Sequence, residues 1–191
     1  MIKLKDILIE APTKNLDSAI SAVITQNNLK SLVKAISKKE GWIATANAGL
    51  GSRAYRNNNP GNLDYQPSFK NIDPGVKLEK KLKDGKLTDE DGRFAHFSSP
   101  EKGVLALKNK IIRWANGKMP ITAGNQSLIA RDFGDEYKWT KGETPTVLQF
   151  MYTYAPPNEN SSVNYVNYIL KEFGLEATDE NQNLKMIDLL S

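Results

Sequence analysis

LKSLVKAISKKEG, residues 29–41, has the pattern of an amphipathic helix that ends on a carboxylate. Its apolar residues recur at helical spacing and form one face: Leu29, Leu32, Val33 and Ile36. At about 100° per residue, Glu40 points within roughly 20–40° of this face. Gly41 follows at once, as a helix stop would. The stretch therefore predicts a core helix whose last side chain is an acid at the edge of the protein interior.

The composition of the 191 residues is typical of one globular domain, with 39% apolar and 25% charged residues. The formal net charge of +4 favours an anionic partner only weakly, because the lysines are interspersed with acids. The absence of cysteine excludes disulfides and thiolate chemistry, and a single histidine, His96, excludes a His-rich zinc site. The first residues are no secretory signal, because Asp6 and Glu10 interrupt their apolar run. We expect no cofactor, no metal and no membrane insertion.

The rest of the chain predicts a mainly α (α+β) fold, one helical domain with a small antiparallel β element. Apolar spacing and flanking breakers predict helices over residues 16–27, 125–133, 144–152 and 162–173. Residues 179–190 are predicted as a last amphipathic helix or a loose docking segment. Another helix is predicted from Pro100, with Ser98 and Glu101 as its capping pair. Residues 43–62 are predicted as an ordered loop, and residues 69–97, with the turn signals IDPG, KDG and EDG, as short strands. The chain divides into an N-terminal extension or helix (1–28), a catalytic domain (29–176) and a helical tail (177–191).

Glu40 is the candidate general acid. A carboxyl on an apolar face is desolvated, and the helix end adds partial negative charge, so both effects raise its pKa. An acid that stays protonated near neutral pH can donate its proton to a leaving oxygen. The alternative is a last helical turn that frays and leaves Glu40 in water.

RNNNPGNLDY, residues 56–65, is the second candidate stretch. Asparagine amides both donate and accept hydrogen bonds, as sugar hydroxyls and acetamido groups require. Asn58, Asn59 and Asn62 are therefore candidate substrate-binding residues, beside a turn fixed by Pro60-Gly61. The alternative is an Asn-rich turn whose amides bond its own backbone.

TYAPPNENSSVNYVNY, residues 153–168, is the third candidate stretch. It brings aromatic faces, amides and a carboxylate together beside a Pro-Pro bend, a combination typical of carbohydrate clefts and also of helix corners. The candidate substrate-binding residues here are Tyr154, Asn158, Glu159 and Tyr165. No phosphate-binding glycine loop is present, and no stacking aromatics alternate with the lysines, so nucleic acid is not an expected partner.

Four stretches taken in order resemble a known family: AISKKEGW, SRAYRNNNPGNL, GRFAHFSSPEKGVLAL and TPTVLQFMYTYAPPNENSSVNYVNYI. They resemble phage and prophage proteins with a lysozyme-like domain, related to goose-type lysozymes and soluble lytic transglycosylases. The resemblance covers about residues 30–175 and implies a helical lysozyme-like fold that cleaves peptidoglycan, with Glu40 as catalytic acid. RNNNPGNL would line one wall of the cleft and NENSSVNYV the other. Two departures are Gly41 in place of the usual serine after the acid, and the absence of the Ala-Tyr-Asn signature.

The resemblance implies cleavage of the β-1,4 bond between N-acetylmuramic acid and N-acetylglucosamine. A hydrolase needs a second carboxylate, for which Asp64 and Glu159 are available, whereas a lytic transglycosylase needs none. We favour the transglycosylase, because neither carboxylate lies in a recognisable catalytic setting. The expected partners are glycan strands and other virion proteins, and residues 1–28 either pack on the domain or anchor it to those proteins.

Two alternatives remain: a non-catalytic virion or wall-binding protein on the same fold, and a basic protein that packages nucleic acid. The expected location is the virion or the host cytoplasm, with action on the periplasmic cell wall.

Overall fold

A computed structural model describes residues 14–47, 50–119, 122–157 and 161–191. Its helices are α1 (Leu16–Val23), α2 (Asn27–Lys39), α3 (Arg53–Arg56), α4 (Pro100–Ala115), α5 (Ala123–Phe133), α6 (Val147–Tyr154), α7 (Ser162–Glu172), α8 (Asp179–Gln182) and α9 (Met186–Leu190). Two antiparallel strands, β1 (Lys77–Lys83) and β2 (Lys86–His96), form a hairpin. The predicted mainly α (α+β) class is confirmed. Within the described ranges, each helix is too short or too polar to cross a membrane.

Helix α2 lies at the centre of the fold, in contact with α1, α4, α7 and α9. Its predicted apolar face is buried: Leu29, Leu32, Val33 and Ile36. The helix ends as predicted, because Gly41 adopts a left-handed φ of +74°. The N–H of Gly41 donates to the carbonyl of Lys38 (3.1 Å), and that of Trp42 donates to the carbonyl of Ser37 (3.0 Å). These paired bonds are a Schellman motif, which fixes the direction in which the chain leaves Glu40.

Both terminal segments share the hydrophobic core of the central residues. From the first segment, Ala19, Ile20 and Ile24 are buried, and from the last, Met186, Leu189 and Leu190. The Gln26 amide donates to the carbonyl of Leu190, and the Asn28 amide donates to that of Ser191 (3.1 Å). Residues 14–28 and 177–191 therefore pack on the predicted catalytic domain, while residues 1–13 lie outside the described residues.

Two of the predicted turn signals, KDG and EDG, have different positions in the hairpin. KDG forms the hairpin turn, where Asp84 and Gly85 both have positive φ, as a two-residue type I′ turn requires. EDG lies instead within β2, next to an irregularity in the strand register. A side chain at Gly92 would collide with Glu79, since a Cβ there would lie 2.5 Å from a carboxylate oxygen. This glycine marks a bulge and not a turn.

Three local predictions are wrong. Residues 179–190 form neither one helix nor a loose segment, because α8 ends at Gln182, α9 begins at Met186, and the side chains of Met186, Leu189 and Leu190 are buried. The N-cap of α4 is Ser99, whose hydroxyl accepts from the N–H of Lys102, and not Ser98. Ser98 bonds Asp73 instead, through its N–H (2.6 Å) and its hydroxyl (2.9 Å). In addition, the predicted loop 43–62 contains the short helix α3, which Ser52 caps.

Candidate active site at the end of helix α2

Glu40 follows the last residue of α2 and lines a cleft of about 460 Å³. The remaining lining residues come from the Asn-rich loop, the hairpin and helices α3 to α6: Arg53, Gly61, Asn62, Leu63, Asp64, Arg93, Phe94, Lys110, Thr122, Asn125, Thr153, Tyr154 and Pro156. The frayed alternative for Glu40 does not hold, because its N–H donates to the carbonyl of Ile36 at 2.8 Å. The acid is thus fixed at the edge of the core.

Two side chains distant in sequence donate hydrogen bonds to the Glu40 carboxyl. The hydroxyl of Tyr165, on α7, donates to Oε1 at 3.0 Å. The Asn62 amide donates to Oε2 at 3.0 Å and also to the main-chain carbonyl of Glu40 at 3.2 Å. Each carboxyl oxygen therefore has its own donor, so the orientation of the carboxyl is set before any ligand binds.

Burial raises the pKa of Glu40 above its ordinary value. The hydrogen bonds from Asn62 and Tyr165, and the positive charge of Lys39, oppose this rise because they favour the ionised form. The net direction is the one predicted from the sequence. A raised pKa increases the protonated fraction near neutral pH, which is the form that a general acid uses.

The Asn-rich loop is held by its own side chains. The Asn59 amide is completely buried and donates to the carbonyls of Leu63 and Ala95, both at 2.9 Å, while its oxygen accepts from the N–H of Leu63 at 2.8 Å. The buried Asn58 amide donates to the carbonyl of Phe97 at 2.8 Å. In place of the expected sugar contacts, Asn58 and Asn59 fasten the loop to the end of β2. Asn62 is the predicted loop asparagine that lines the cleft.

Two glycines allow other elements to approach this loop closely. A Cβ on Gly103, in α4, would lie 1.8 Å from the main-chain oxygen of Asn58. A Cβ on Gly61 would lie 2.8 Å from Leu107 and 2.9 Å from the Tyr154 hydroxyl. The position of the loop on α4 therefore requires the absence of a side chain at both places.

Tyr154 and Tyr165 form a packed pair of aromatic rings next to the acid. The Tyr154 hydroxyl donates to the carbonyl of Gly61 at 2.6 Å, and its ring lies edge-on to that of Tyr165 with 6.1 Å between centroids. Burial raises the pKa of both phenols well above the ordinary value. Both hydroxyls therefore remain protonated donors, Tyr165 to the acid and Tyr154 to the loop.

The structure brings Asn62, Tyr154 and Tyr165 beside Glu40. Of the three, Asn62 and Tyr154 line the cleft, whereas Tyr165 is buried and is not among the lining residues. Asn158 and Glu159 lie outside the described residues. Asp64, considered from sequence as a second carboxylate, lines the cleft and pairs with Arg93, Nε to Oδ1, at 3.2 Å.

Several cleft residues were not predicted from the sequence, namely Arg53, Arg93, Phe94, Lys110, Thr122, Asn125 and Thr153. Among them, Lys110 had a detectable signal. It lies three positions after Leu107 and four before Trp114, and hence on the apolar face of α4. A charge on an apolar face is the signal that singled out Glu40, and it would have singled out Lys110 as well.

Comparisons of the chain with models of protein families, with characterised proteins and with solved structures gave no match.

Proposed function

We propose that this protein cleaves the glycan strands of peptidoglycan at the β-1,4 bond between N-acetylmuramic acid and N-acetylglucosamine, with Glu40 as general acid. The resemblance of four ordered stretches to phage lysozyme-like proteins motivates the substrate. A phage-encoded protein that acts on the bacterial cell wall is the corresponding biological role.

The observation that carries the proposal is the setting of Glu40. Its carboxyl lies in a cleft, its pKa is raised by burial, and its two oxygens are held by Tyr165 and Asn62. A carboxylic acid oriented in this way can protonate the bridging oxygen of a bound glycan. Elsewhere in the cleft, the neutral hydroxyl and amide groups of Thr122, Asn125 and Thr153 suit a substrate rich in hydroxyl and acetamido groups.

A one-carboxylate mechanism fits the described part of the cleft. Among the described lining residues, Asp64 is the only other carboxylate, and it is engaged in an ion pair with Arg93. In the proposed reaction, Glu40 gives its proton to the bridging oxygen as the bond from that oxygen to C1 of the muramic residue breaks. The 6-hydroxyl of the same residue then bonds to C1, and Glu40 takes back the proton of that hydroxyl. The products are a 1,6-anhydro end and a free 4-hydroxyl.

The test is mass spectrometry of the fragments that the protein releases from purified cell walls. The wild-type protein should release fragments with 1,6-anhydromuramyl ends. Glu40→Gln should release them at least about 100-fold more slowly, since a general acid contributes about 10²- to 10⁴-fold. Glu176→Gln, which changes an exposed carboxylate outside the cleft, is the matched control and should keep the wild-type rate.

Reducing ends would instead indicate hydrolysis. Co-sedimentation with walls without any released fragment would replace catalysis with a wall-binding role on the same fold. Wild-type release by Glu40→Gln would exclude Glu40 as the acid.

A further inference from the structure

The ammonium group of Lys110 lines the cleft without a direct ion-pair partner among the described residues. Its ammonium lies 5.1 Å from the ring centroid of Trp114 and 5.8 Å from that of Tyr154. It makes no hydrogen bond and no ion pair with the residues that the structure describes. Burial lowers its pKa, and the charge of Asp64 opposes that change. An ammonium has three N–H donors, so a partly buried one without acceptors is a site that an anionic ligand would stabilise.

A second cavity begins where Lys110 lies. It has a volume of about 330 Å³ and shares Lys110 with the cleft that contains Glu40. Amide and hydroxyl groups line part of it: Gln66, Ser68, Asn71 and Asn109. Apolar side chains line the rest, chiefly Phe69, Ile72, Ile112 and Met119, and Arg113 adds a second cation. This side cavity, as we call it, is therefore a mixed surface with positive charge at its junction with the cleft.

We propose that the side cavity binds the short peptide substituent of the glycan strand, with Lys110 holding a carboxylate of that peptide at the junction. The proposal rests on the proposed function and adds to it a second recognised part of the substrate. It makes Lys110 a specificity-determining residue that acts on the substituent and not on the scissile bond.

The chemistry of the side cavity fits such a peptide better than a neutral sugar chain, which would bring no anion to the Lys110 ammonium. Short wall peptides combine small apolar side chains with free carboxylates, which match the apolar lining and the two cations Lys110 and Arg113. Asp64 offsets the charge of Lys110 only in part, because Asp64 also forms an ion pair with Arg93. One aromatic residue, Tyr154, contacts both Lys110 and Tyr165, so a ligand at Lys110 lies beside the part of the cleft that holds the acid.

The test measures binding, so that it does not depend on turnover. Purified walls are compared with the same walls after their carboxylates have been converted to amides with carbodiimide and ammonia. Binding is measured by co-sedimentation in the Glu40→Gln background, which is not expected to consume the walls. The native walls should bind about tenfold more tightly than the amidated ones, the effect of one charge-assisted hydrogen bond.

Three variants in the same background assign this preference to a residue. Lys110→Met keeps the apolar stem and removes the charge. It should reduce the preference for native over amidated walls to about threefold or less, which is the preference that the net positive charge of the protein alone would give. Lys110→Arg should retain the preference. Lys171→Met makes the same charge change on an exposed site of α7 and should leave the preference unchanged.

Equal binding of native and amidated walls by the parent would overturn the proposal. So would an unchanged preference in Lys110→Met, provided that its thermal melting temperature matches that of the parent. The proposed function fails by a different result, namely the absence of released fragments with the wild-type protein, and the binding comparison remains decisive in that case.

Discussion

The hydroxyl of Tyr165 donates to Oε1 of Glu40 at 3.0 Å across a separation of 125 residues in the chain. This bond joins α7 to the end of α2. It favours the ionised form of Glu40 and so lowers its pKa, whereas burial of the carboxyl raises that pKa. The proton affinity of Glu40 is therefore a balance between desolvation and two hydrogen bonds. Because different elements supply the burial and the two hydrogen bonds, a single substitution can raise or lower the pKa of Glu40.

Tyr165→Phe should move the alkaline limb of the pH–activity profile to higher pH. Activity requires protonated Glu40, so it falls as pH rises through the pKa of this group. Removal of the Tyr165 hydroxyl removes a bond that favours the ionised form, which raises that pKa further. The measurement is the rate of fragment release from walls as a function of pH. Tyr152→Phe, whose hydroxyl bonds Asp132, is the control, and an unmoved limb in Tyr165→Phe would contradict the role assigned to Tyr165.

Asn62→Gly should lower activity about tenfold, the effect of one hydrogen bond to a charged group. Asn62 has a φ of +43°, which glycine adopts without strain, so this change removes the amide and keeps the backbone. Asn62→Ala should lose the same activity and, in addition, about 1 kcal/mol of stability from left-handed strain. Fragment release and urea unfolding measure the two effects. Asn47→Gly, also at a positive φ but outside the cleft, should keep full activity.

Asn59→Ala should lower the free energy of unfolding by at least about 2 kcal/mol. It removes the donor to the buried carbonyl of Ala95 and one of the two donors to that of Leu63, which keeps the N–H of Ala95 at 2.9 Å, and it leaves the buried N–H of Leu63 without its acceptor. Urea unfolding measures the loss. Asn183→Ala removes an exposed asparagine amide and should cost no more than about 0.5 kcal/mol. Similar losses in the two variants would mean that the loop does not depend on Asn59.

Gly103→Ala and Gly124→Ala should have opposite effects, although both replace a helical glycine with a better helix former. Gly124 has open space around it, so alanine there should stabilise by about 0.5–1 kcal/mol. At Gly103 the new Cβ would lie 1.8 Å from the Asn58 oxygen, which should cost about 1–3 kcal/mol. Gly103→Ala should also lower activity, because it displaces the loop that carries Asn62. Thermal unfolding measures the pair, and stabilisation by both would refute the close contact.

Glu40→Gln should gain stability relative to the wild type as pH rises. A raised native-state pKa means that Glu40 contributes stability below the unfolded-state value, near 4.5. That contribution is lost as pH rises through the raised pKa of the folded state, whereas glutamine does not titrate. Urea unfolding of both proteins between pH 4 and pH 8 should show the difference growing in favour of glutamine. A difference independent of pH would indicate an unperturbed Glu40.

The sequence predicted those secondary-structure elements that are determined by residues close together in the chain. The spacing of Leu29 to Ile36 and the glycine after Glu40 were sufficient for α2, its end and the position of the acid. The bonds between Asn59 and Leu63 are those of the self-bonded turn that the sequence offered as the alternative. The long-range bonds of Asn58 and Asn59 were not predictable, because their acceptors lie on residues 97 and 95, which only the fold brings near. Helix α3 was hidden for a different reason: it is four residues long and surrounded by turn formers, so no periodicity can develop.

The bond between Gln26 and Leu190 has a consequence for how the protein is made. It joins residues 164 positions apart, and α9 packs on the same helix that ends at Glu40. During synthesis, α2 emerges from the ribosome long before α9, so α2 lacks this neighbouring helix until residues 186–191 have also emerged. Contacts of such long range form late, so the acid should reach its final surroundings only after almost all of the described chain has been translated.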